Sequence, residues 1–267
     1  HVLDHLIRST DWHIYCIDKL SYSSFGLQRL REACLLDNPR ITFFSFDLCN
    51  ELPEGLVREI QDVNYVLHIA AESHVDNSID DPVNFIKNNV DSTVNLLEFC
   101  RSCEKLEKFI YFSTDEVFGN AAENFSYSEG DRFNCGNPYS ASKAAAECIC
   151  QSYCNTYNLP VVITNTMNII GERQHSEKFV PKVVKQISND ETVFVHSYPD
   201  RKKSGSRFYI HARNVADAFI FILNNSTEIL DSEDASLGKY NIVGVEEVSN
   251  LKMVEMISEV VGKKAEY

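Results

Sequence analysis

Short β-branched or aromatic runs, alternating with longer stretches of helical composition, constrain this chain more than any other feature. The runs are HIYCID (13–18), ITFFSFD (41–47), VNYVLHIAA (63–71), KFIYFST (108–114) and VVITNT (161–166). Between them lie FGLQRLREACLL, ELPEGLVREI, DPVNFIKNNVDSTVNLLEFCRS and NPYSASKAAAECICQSYCNTY. Strands that alternate with crossover helices form a parallel sheet covered on both faces, and such strands are apolar nearly throughout. The pattern therefore predicts an α/β fold with a doubly wound parallel sheet. HVLDHLIRST at the start has the pattern of the back half of a helix. A first strand and a glycine-rich turn are expected upstream of it, so the sheet as given should lack its first strand.

The rhythm changes after residue 167. A helical FVPKVVKQISN leads to a short strand VFVHS, a polar stretch YPDRKKSGSR and a helical VADAFIFILNN. LGKYNIVG and SNLKMVEMISEVVG then predict a strand and a helix capped by Ser249. The division expected is a parallel α/β unit over 1–167 and a smaller substrate lobe over 168–267. Parts of 208–225 and 239–244 should return to the main unit.

Charge narrows the partners. Asp and Glu number 39 against 25 Lys and Arg, a net charge of −14. So acidic a surface repels phosphate backbones and anionic lipid, which argues against nucleic acid and membrane partners. An anionic substrate would then need a local basic pocket. No run of about 18 apolar residues is present to cross a bilayer, and no signal peptide is expected. The nine cysteines are odd in number and scattered through apolar runs, as expected of reduced thiols in a cytoplasmic protein. Cys100 and Cys103 have metal-ligand spacing, but no second such pair and no histidine pair lies near, so no metal is expected.

Three places carry chemistry. Asp18 ends the first run, where a carboxylate can bond the ribose hydroxyls of a dinucleotide and oppose a 2′-phosphate; the alternative is a turn-forming Asp. Thr114, Asp115 and Glu116 emerge together from the end of KFIYFST. Adjacent buried carboxylates repel, so one can keep its proton near neutral pH, giving an acid beside a base. The alternative is a loop with helix-capping acids. Tyr139 and Lys143 lie four apart in NPYSASK, on one helical face, where the ammonium can favour a phenolate.

With these motifs in view, the chain resembles the nucleotide-sugar 4,6-dehydratases of the extended short-chain dehydrogenase/reductase superfamily, of the dTDP-glucose 4,6-dehydratase type. The resemblance runs through DKLSY (18–22), HIAAESHVDNSI (68–79), STDEVFG (113–119), NPYSASK (137–143) and NIIGERQHSEKFVP (168–181). It implies a Rossmann domain holding NAD and a small lobe holding a nucleoside-diphosphate hexose such as dTDP- or UDP-glucose. Tyr139 would take the 4-hydroxyl proton while NAD takes the C4 hydride, with Lys143 tuning Tyr139 and Thr114 bonding the 4-oxygen. Glu116 would remove the C5 proton and Asp115 protonate the departing 6-hydroxyl, after which the hydride returns to C6. The product is a 4-keto-6-deoxy sugar.

The resemblance also places Asp18, Lys19, Asp47, Ala70, Ala71 and Ser73 along the cofactor, together with Tyr139 and Lys143. Ser73, Thr114, Asn168, Lys178, Phe179, Arg207 and Asn250 fall against the substrate. Lys178 and Arg207 would supply the basic pocket. His68, His74 and Glu72 are expected to support the structure. The chain departs from the pattern at Ile169, at Ala212-Arg213-Asn214 and in the length of YPDRKKSGS, and it ends before the arginine-bearing segment expected to complete the nucleotide pocket. A homodimer is implied through helices at 81–102 and 138–158, with Ala144, Cys148, Ser152, Leu96 and Phe99 as the apolar face. Two other readings stay open. One is a nucleotide-sugar 4-epimerase or a different sugar-nucleotide dehydratase; the other is a non-catalytic NAD- or sugar-nucleotide-binding protein.

Overall fold

The computed structural model describes residues 1–122, 125–197, 203–225 and 238–267. The five apolar runs become strands β1 (Ile14–Asp18), β2 (Ile41–Ser45), β3 (Tyr65–His68), β4 (Lys108–Thr114) and β5 (Val161–Thr166). Four shorter strands follow: β6 (Asn168–Ile170), β7 (Ser206–His211), β8 (Lys239–Ile242) and β9 (Glu247–Ser249). The helices in chain order are α1 (Val2–Ser9), α2 (Gln28–Glu32), α3 (Glu54–Ile60), α4 (Val75–Asp80) and α5 (Pro82–Arg101), then α6 (Pro138–Tyr157), α7 (Phe179–Ser188), α8 (Ala212–Asn225) and α9 (Asn250–Val261).

β3, β4, β5 and β8 form one parallel sheet, with Phe109–Thr114 in register with Val161–Thr166. β1 and β2 form a separate parallel pair. Among the described residues no strand pairs with the second edge of β1 or of β3, which is the gap an upstream first strand was expected to fill. The two sheets are nevertheless one layer in packing terms. Tyr15, Ile17 and Phe44 share a cluster with Phe109, Tyr111 and Ile163, roofed by Leu96, Leu97 and Phe99 of α5 and Ala146 and Cys150 of α6. On the other face Val215, Phe219 and Ile222 of α8 cover Ile110, Val162 and Ile242. With helices on both faces the sheet is doubly wound, as the alternation implied. Each such Leu or Phe, fully buried, is worth about 1.5–3 kcal/mol.

The later elements divide. β8 and α8 belong to the main sheet, whereas β6, β7 and β9 make a three-stranded sheet of their own. Against it α7 and α9 bring Val183, Ile187, Met253, Val254 and Ile257 into a separate apolar cluster.

Several local expectations need correction. The helix expected from Asp81 onward has a second helix, α4, in front of it. The break falls where the Asp81 side chain accepts from the Asn84 N–H and Pro82 opens α5. FGLQRLREACLL yields only the short α2, because Phe25 and Cys34 at its flanks adopt left-handed backbone. VFVHS is not a strand: among the described residues it has no ladder partner, and it is held by the bond from Val193 N–H to Glu266 O and by a bridge from Ser197 to Ser204. Residues 198–202 of the polar stretch lie outside the described residues. Ser249 does cap α9, accepting from the Lys252 N–H.

Gly119 closes the turn that follows β4. It has φ of 78°, and a Cβ added there would stand 2.4 Å from Asn134 O. Gly119→Ala is therefore expected to cost about 1–3 kcal/mol through overpacking and strain. An unchanged denaturant midpoint would show that the 119–134 contact is not what pins this turn.

Candidate active site

The site is assembled where β4 ends. After Thr114 the chain turns into a single 3₁₀ turn over Asp115–Phe118, anchored by the buried Val117 and Phe118. The Thr114 hydroxyl accepts from the Glu116 N–H at 3.3 Å and donates to Asp115 Oδ1 at 3.3 Å. Burial, and secondarily the neighbouring Glu116 carboxylate, pushes the Asp115 pKa up to about 6.

α6 begins directly opposite. Asn137 and Ser140 cap it reciprocally, and the Asn137 amide also donates to Glu116 Oε2 at 3.1 Å. The Tyr139 N–H donates to Ser78 Oγ at 3.2 Å, which ties the helix start to α4. Burial, then Glu116, raises the Tyr139 phenol well above its ordinary pKa, with a smaller push from Asp115; a hydrogen bond with the Thr114 side chain opposes the shift. Thr114, Asp115, Glu116 and Tyr139 thus act on one another electrically, as four groups of one site.

Lys143 lies one turn further along α6. Its Nζ donates to Phe112 O at 2.5 Å and stands 4.3 Å above the centre of the Tyr111 ring. Burial lowers its pKa to about 8, opposed by Cys150 and Glu147. In this geometry its ammonium is spent on β4 and not on the Tyr139 phenol.

Around this centre the basic groups gather. Lys178, at the start of α7, donates to Ser73 O at 2.7 Å and Ser73 Oγ at 3.3 Å. Burial lowers its pKa, while Glu116 acts against that shift. The field of Arg207 reaches Asp115 and opposes part of the rise that burial and Glu116 impose. The Asn250 amide and the Arg207 guanidinium both line Gly205, and Asn250 Oδ1 accepts from the Tyr209 hydroxyl at 3.4 Å. Asn168 starts β6, paired with Tyr209 of β7, and Phe179 packs under the lobe.

On the other side, Asp18 at the tip of β1 accepts from the Leu20 N–H at 2.6 Å. Asp47 follows β2, and the Cys49 N–H bond holds its carboxyl below the usual range. A cavity of about 540 Å³ opens here, lined by Lys19, Asp47, Cys49, Glu72 and Asn88 among others. Ala70 and Ala71 follow β3 in the loop that leads to Ser73. Two carboxylates at adjacent strand tips beside a cleft are suited to sugar hydroxyls. Among the described residues no group of three or more His, Cys, Asp or Glu is placed to hold a metal.

A family model for NAD dependent epimerases and dehydratases matches residues 1–242. The chain belongs to the NAD dependent epimerase/dehydratase family. It is 36% identical over 256 residues to a dTDP-D-glucose 4,6-dehydratase of Dictyostelium discoideum, covering 91% of this chain and 55% of that protein. It therefore spans little more than half the length of that relative. A crystal structure of dTDP-glucose 4,6-dehydratase from Streptomyces venezuelae with NAD bound has a TM-score of 0.83 at 26% identity, over 98% of this chain and 79% of that one. UDP-glucuronic acid 4-epimerase from Bacillus cereus, in complex with UDP-glucuronic acid and NAD, gives 0.85 at 25%, over 100% and 80%. Both dehydratases and epimerases of the family thus share this fold.

One residue at the site, Asn137, was not singled out in the sequence, whereas His68, His74 and Glu72 were expected to be structural. Asn137 was read only as part of a helix opening, yet it holds Glu116. Its signal is the Asn-Pro pair, which marks a cap whose side chain must face the preceding loop. His68 donates or accepts with Thr93 Oγ1 at 3.0 Å inside the core, and His74 caps α4. Glu72 pairs with Lys19 at 3.3 Å.

The Asp115 shift gives a direct check. Removing the Glu116 charge by Glu116→Gln is expected to bring Asp115 down from about 6 while burial keeps it above an ordinary aspartate. Carboxyl carbon NMR of the two proteins reads this, and an unmoved Asp115 would separate the two groups electrically.

Proposed function

We propose that the full-length protein is a lyase that removes water from a nucleoside-diphosphate hexose to give the 4-keto-6-deoxy sugar. The observation that carries this is the pair Asp115 and Glu116 beside Tyr139. An epimerase working through Tyr139 has no need of both carboxylates. A binding protein has no need of Thr114, Asp115, Glu116, Tyr139 and Lys143 together.

The cofactor of this reading is NAD. Asp18 and Asp47 would take ribose hydroxyls, with Lys19, Ala70, Ala71 and Ser73 along the cleft and Lys143 at the nicotinamide end. Their donor and acceptor types fit the adenosine half of a dinucleotide. Bound NAD supplies a reversible hydride acceptor, which lets a net dehydration proceed without consuming a redox reagent. Burial and Glu116 favour the protonated Tyr139 phenol, so Tyr139 must first give up that proton; as phenolate it would then receive the 4-hydroxyl proton, with Thr114 fixing the oxygen. The resulting carbonyl acidifies C5–H, and Glu116 takes that proton. Asp115, protonated up to about pH 6 and so still able to donate near neutrality, delivers its proton to the departing 6-oxygen. Asn168, Phe179 and Asn250 would hold the sugar nucleotide, and Lys178 and Arg207 its pyrophosphate. The lobe over 168–267 would carry these contacts, and the unit over 1–167 the cofactor.

The test is turnover of dTDP-glucose and UDP-glucose by full-length protein in deuterated water. A 4-keto-6-deoxy product with deuterium at C5 is expected, and Glu116→Gln should slow it by about 10²–10⁴. A product inverted only at C4 would establish the epimerase instead.

We further place the protein in the reducing cytoplasm, where its nine free cysteines stay thiols, and we propose that it is a homodimer. No helix among the described residues is long and apolar enough to cross a membrane. Of the expected dimer face, Cys148 and Ser152 of α6 are exposed. Leu96, Phe99 and Ala144 are buried in the chain's own core, while Ile79, Val83 and Ile86 of α4 and α5 and Tyr157 of α6 stand exposed. Sedimentation at micromolar concentration should return twice the chain mass; a single-chain mass would remove this assignment.

A further inference from the structure

Glu147 is an acid at the centre of the molecule with no part in the chemistry above. It is 2% exposed, on α6, one turn beyond Lys143 and two beyond Tyr139. Its carboxylate gathers donors from three neighbouring strands. Ser113 Oγ of β4 donates to Oε1, as does the Asn165 amide of β5 at 2.7 Å. Lys239 of β8 pairs with Oε2 at 2.8 Å. The same Asn165 amide also donates to Thr114 O at 3.1 Å, so the group touches the residue immediately before Asp115.

Lys239 is itself held. Its ammonium lies 4.9 Å from the ring centre of Phe118 and 4.7 Å from that of Phe133. One residue on from its strand neighbour, the Asn241 N–H donates to Glu129 Oε1 at 2.9 Å and its amide to Tyr127 O at 3.2 Å. β8 thereby grips the loop that leads from the acid pair to the Asn137 cap. A buried carboxylate and ammonium are costly to desolvate, and apolar residues of similar volume would often serve stability as well. Stability alone therefore gives a weak account of this arrangement.

We propose that Glu147, fixed by Lys239, Ser113 and Asn165, is a positioning residue that sets the height of α6 along β4. It thereby sets where Tyr139 and Lys143 stand relative to Thr114, Asp115 and Glu116. This rests on the site reading above but not on the identity of the sugar nucleotide. Glu147 also places a negative charge one turn from the Lys143 ammonium. The other groups facing that ammonium are the Tyr111 ring of β4, His68 of β3, and Cys150 of α6 itself. Removing the carboxylate should make the ammonium lose its proton at lower pH.

The experiment uses full-length protein with Glu147→Gln, which keeps the shape, Lys239→Met, which keeps the apolar stem, and the double variant. Carbon NMR titration of lysine ε-carbons in cofactor-free protein, with Lys143→Arg to assign the signal, reads Lys143 directly. Glu147→Gln is expected to lower its titration midpoint from about 8. Both single variants should lower kcat roughly tenfold or more with KM within about threefold, and the double should lose no more than the worse single, as groups acting as a unit do. An unmoved Lys143 midpoint, or losses in the double that multiply, would overturn the proposal. So would rates that fall only in proportion to the unfolded fraction. A wild type that makes no 4-keto-6-deoxy sugar would instead sink the dehydratase reading and leave the titration result standing.

Discussion

The structure depends on the carboxyl end of β4. That strand lies between β3 and β5, covered by α5 and α6 on one face and by α8 on the other. It cannot slide: a one-residue slip would exchange Phe109 and Tyr111 on one face for Ile110 and Phe112 on the other. A strand locked in this way delivers its last residue to a fixed point, and the polar run begins there. Thr114 is still paired with Thr166, and Asp115 is the first residue beyond the ladder. Thr114, Asp115 and Glu116 therefore inherit their placement from a strand buried on both faces while sitting at its carboxyl end, where open α/β sheets place their sites.

Much of this was legible in the sequence because period and burial leave strong marks. β4 and β5 match their runs to the residue, and both strands are covered on both faces. That Asp115 and Glu116 fall at the end of β4 and Tyr139 and Lys143 on the first turns of α6 was legible from the runs that carry them; that the Lys143 ammonium bonds Phe112 O was not. What escaped depended on side-chain capping and on long-range partners. Nothing in VDNSIDDPV announces a break at Asp81 until its side chain is seen accepting from Asn84. VFVHS has strand composition, but composition cannot supply a neighbour to pair with. Leu96 and Phe99 look equally suited to an interface and to a core, and only the position of α6 decides between them. Glu147, in the run AAAEC, looks like an exposed helix acid; that three strands aim donors at it is a property of the sheet and not of the helix.

The electrical organisation of the site follows from burial first and from one carboxylate second. Glu116 stands among groups that respond to it in different ways. It makes Asp115 harder to ionise, which keeps an acid charged with its proton toward neutrality. It also opposes ionisation of the Tyr139 phenol, and it favours the ammonium of Lys178 against the burial that would neutralise it. In a chain of net charge −14 the general field disfavours any anion. A bound pyrophosphate would therefore have to be met locally, which is the role proposed above for Lys178 and Arg207. A substrate anion placed between them would withdraw part of their field from Glu116 and Asp115. Binding and proton transfer would then be coupled through charge as well as through geometry, and the acid would hold its proton more firmly once the nucleotide is seated. That coupling needs no moving part, only basic groups of one lobe facing acidic groups carried by the sheet of the other.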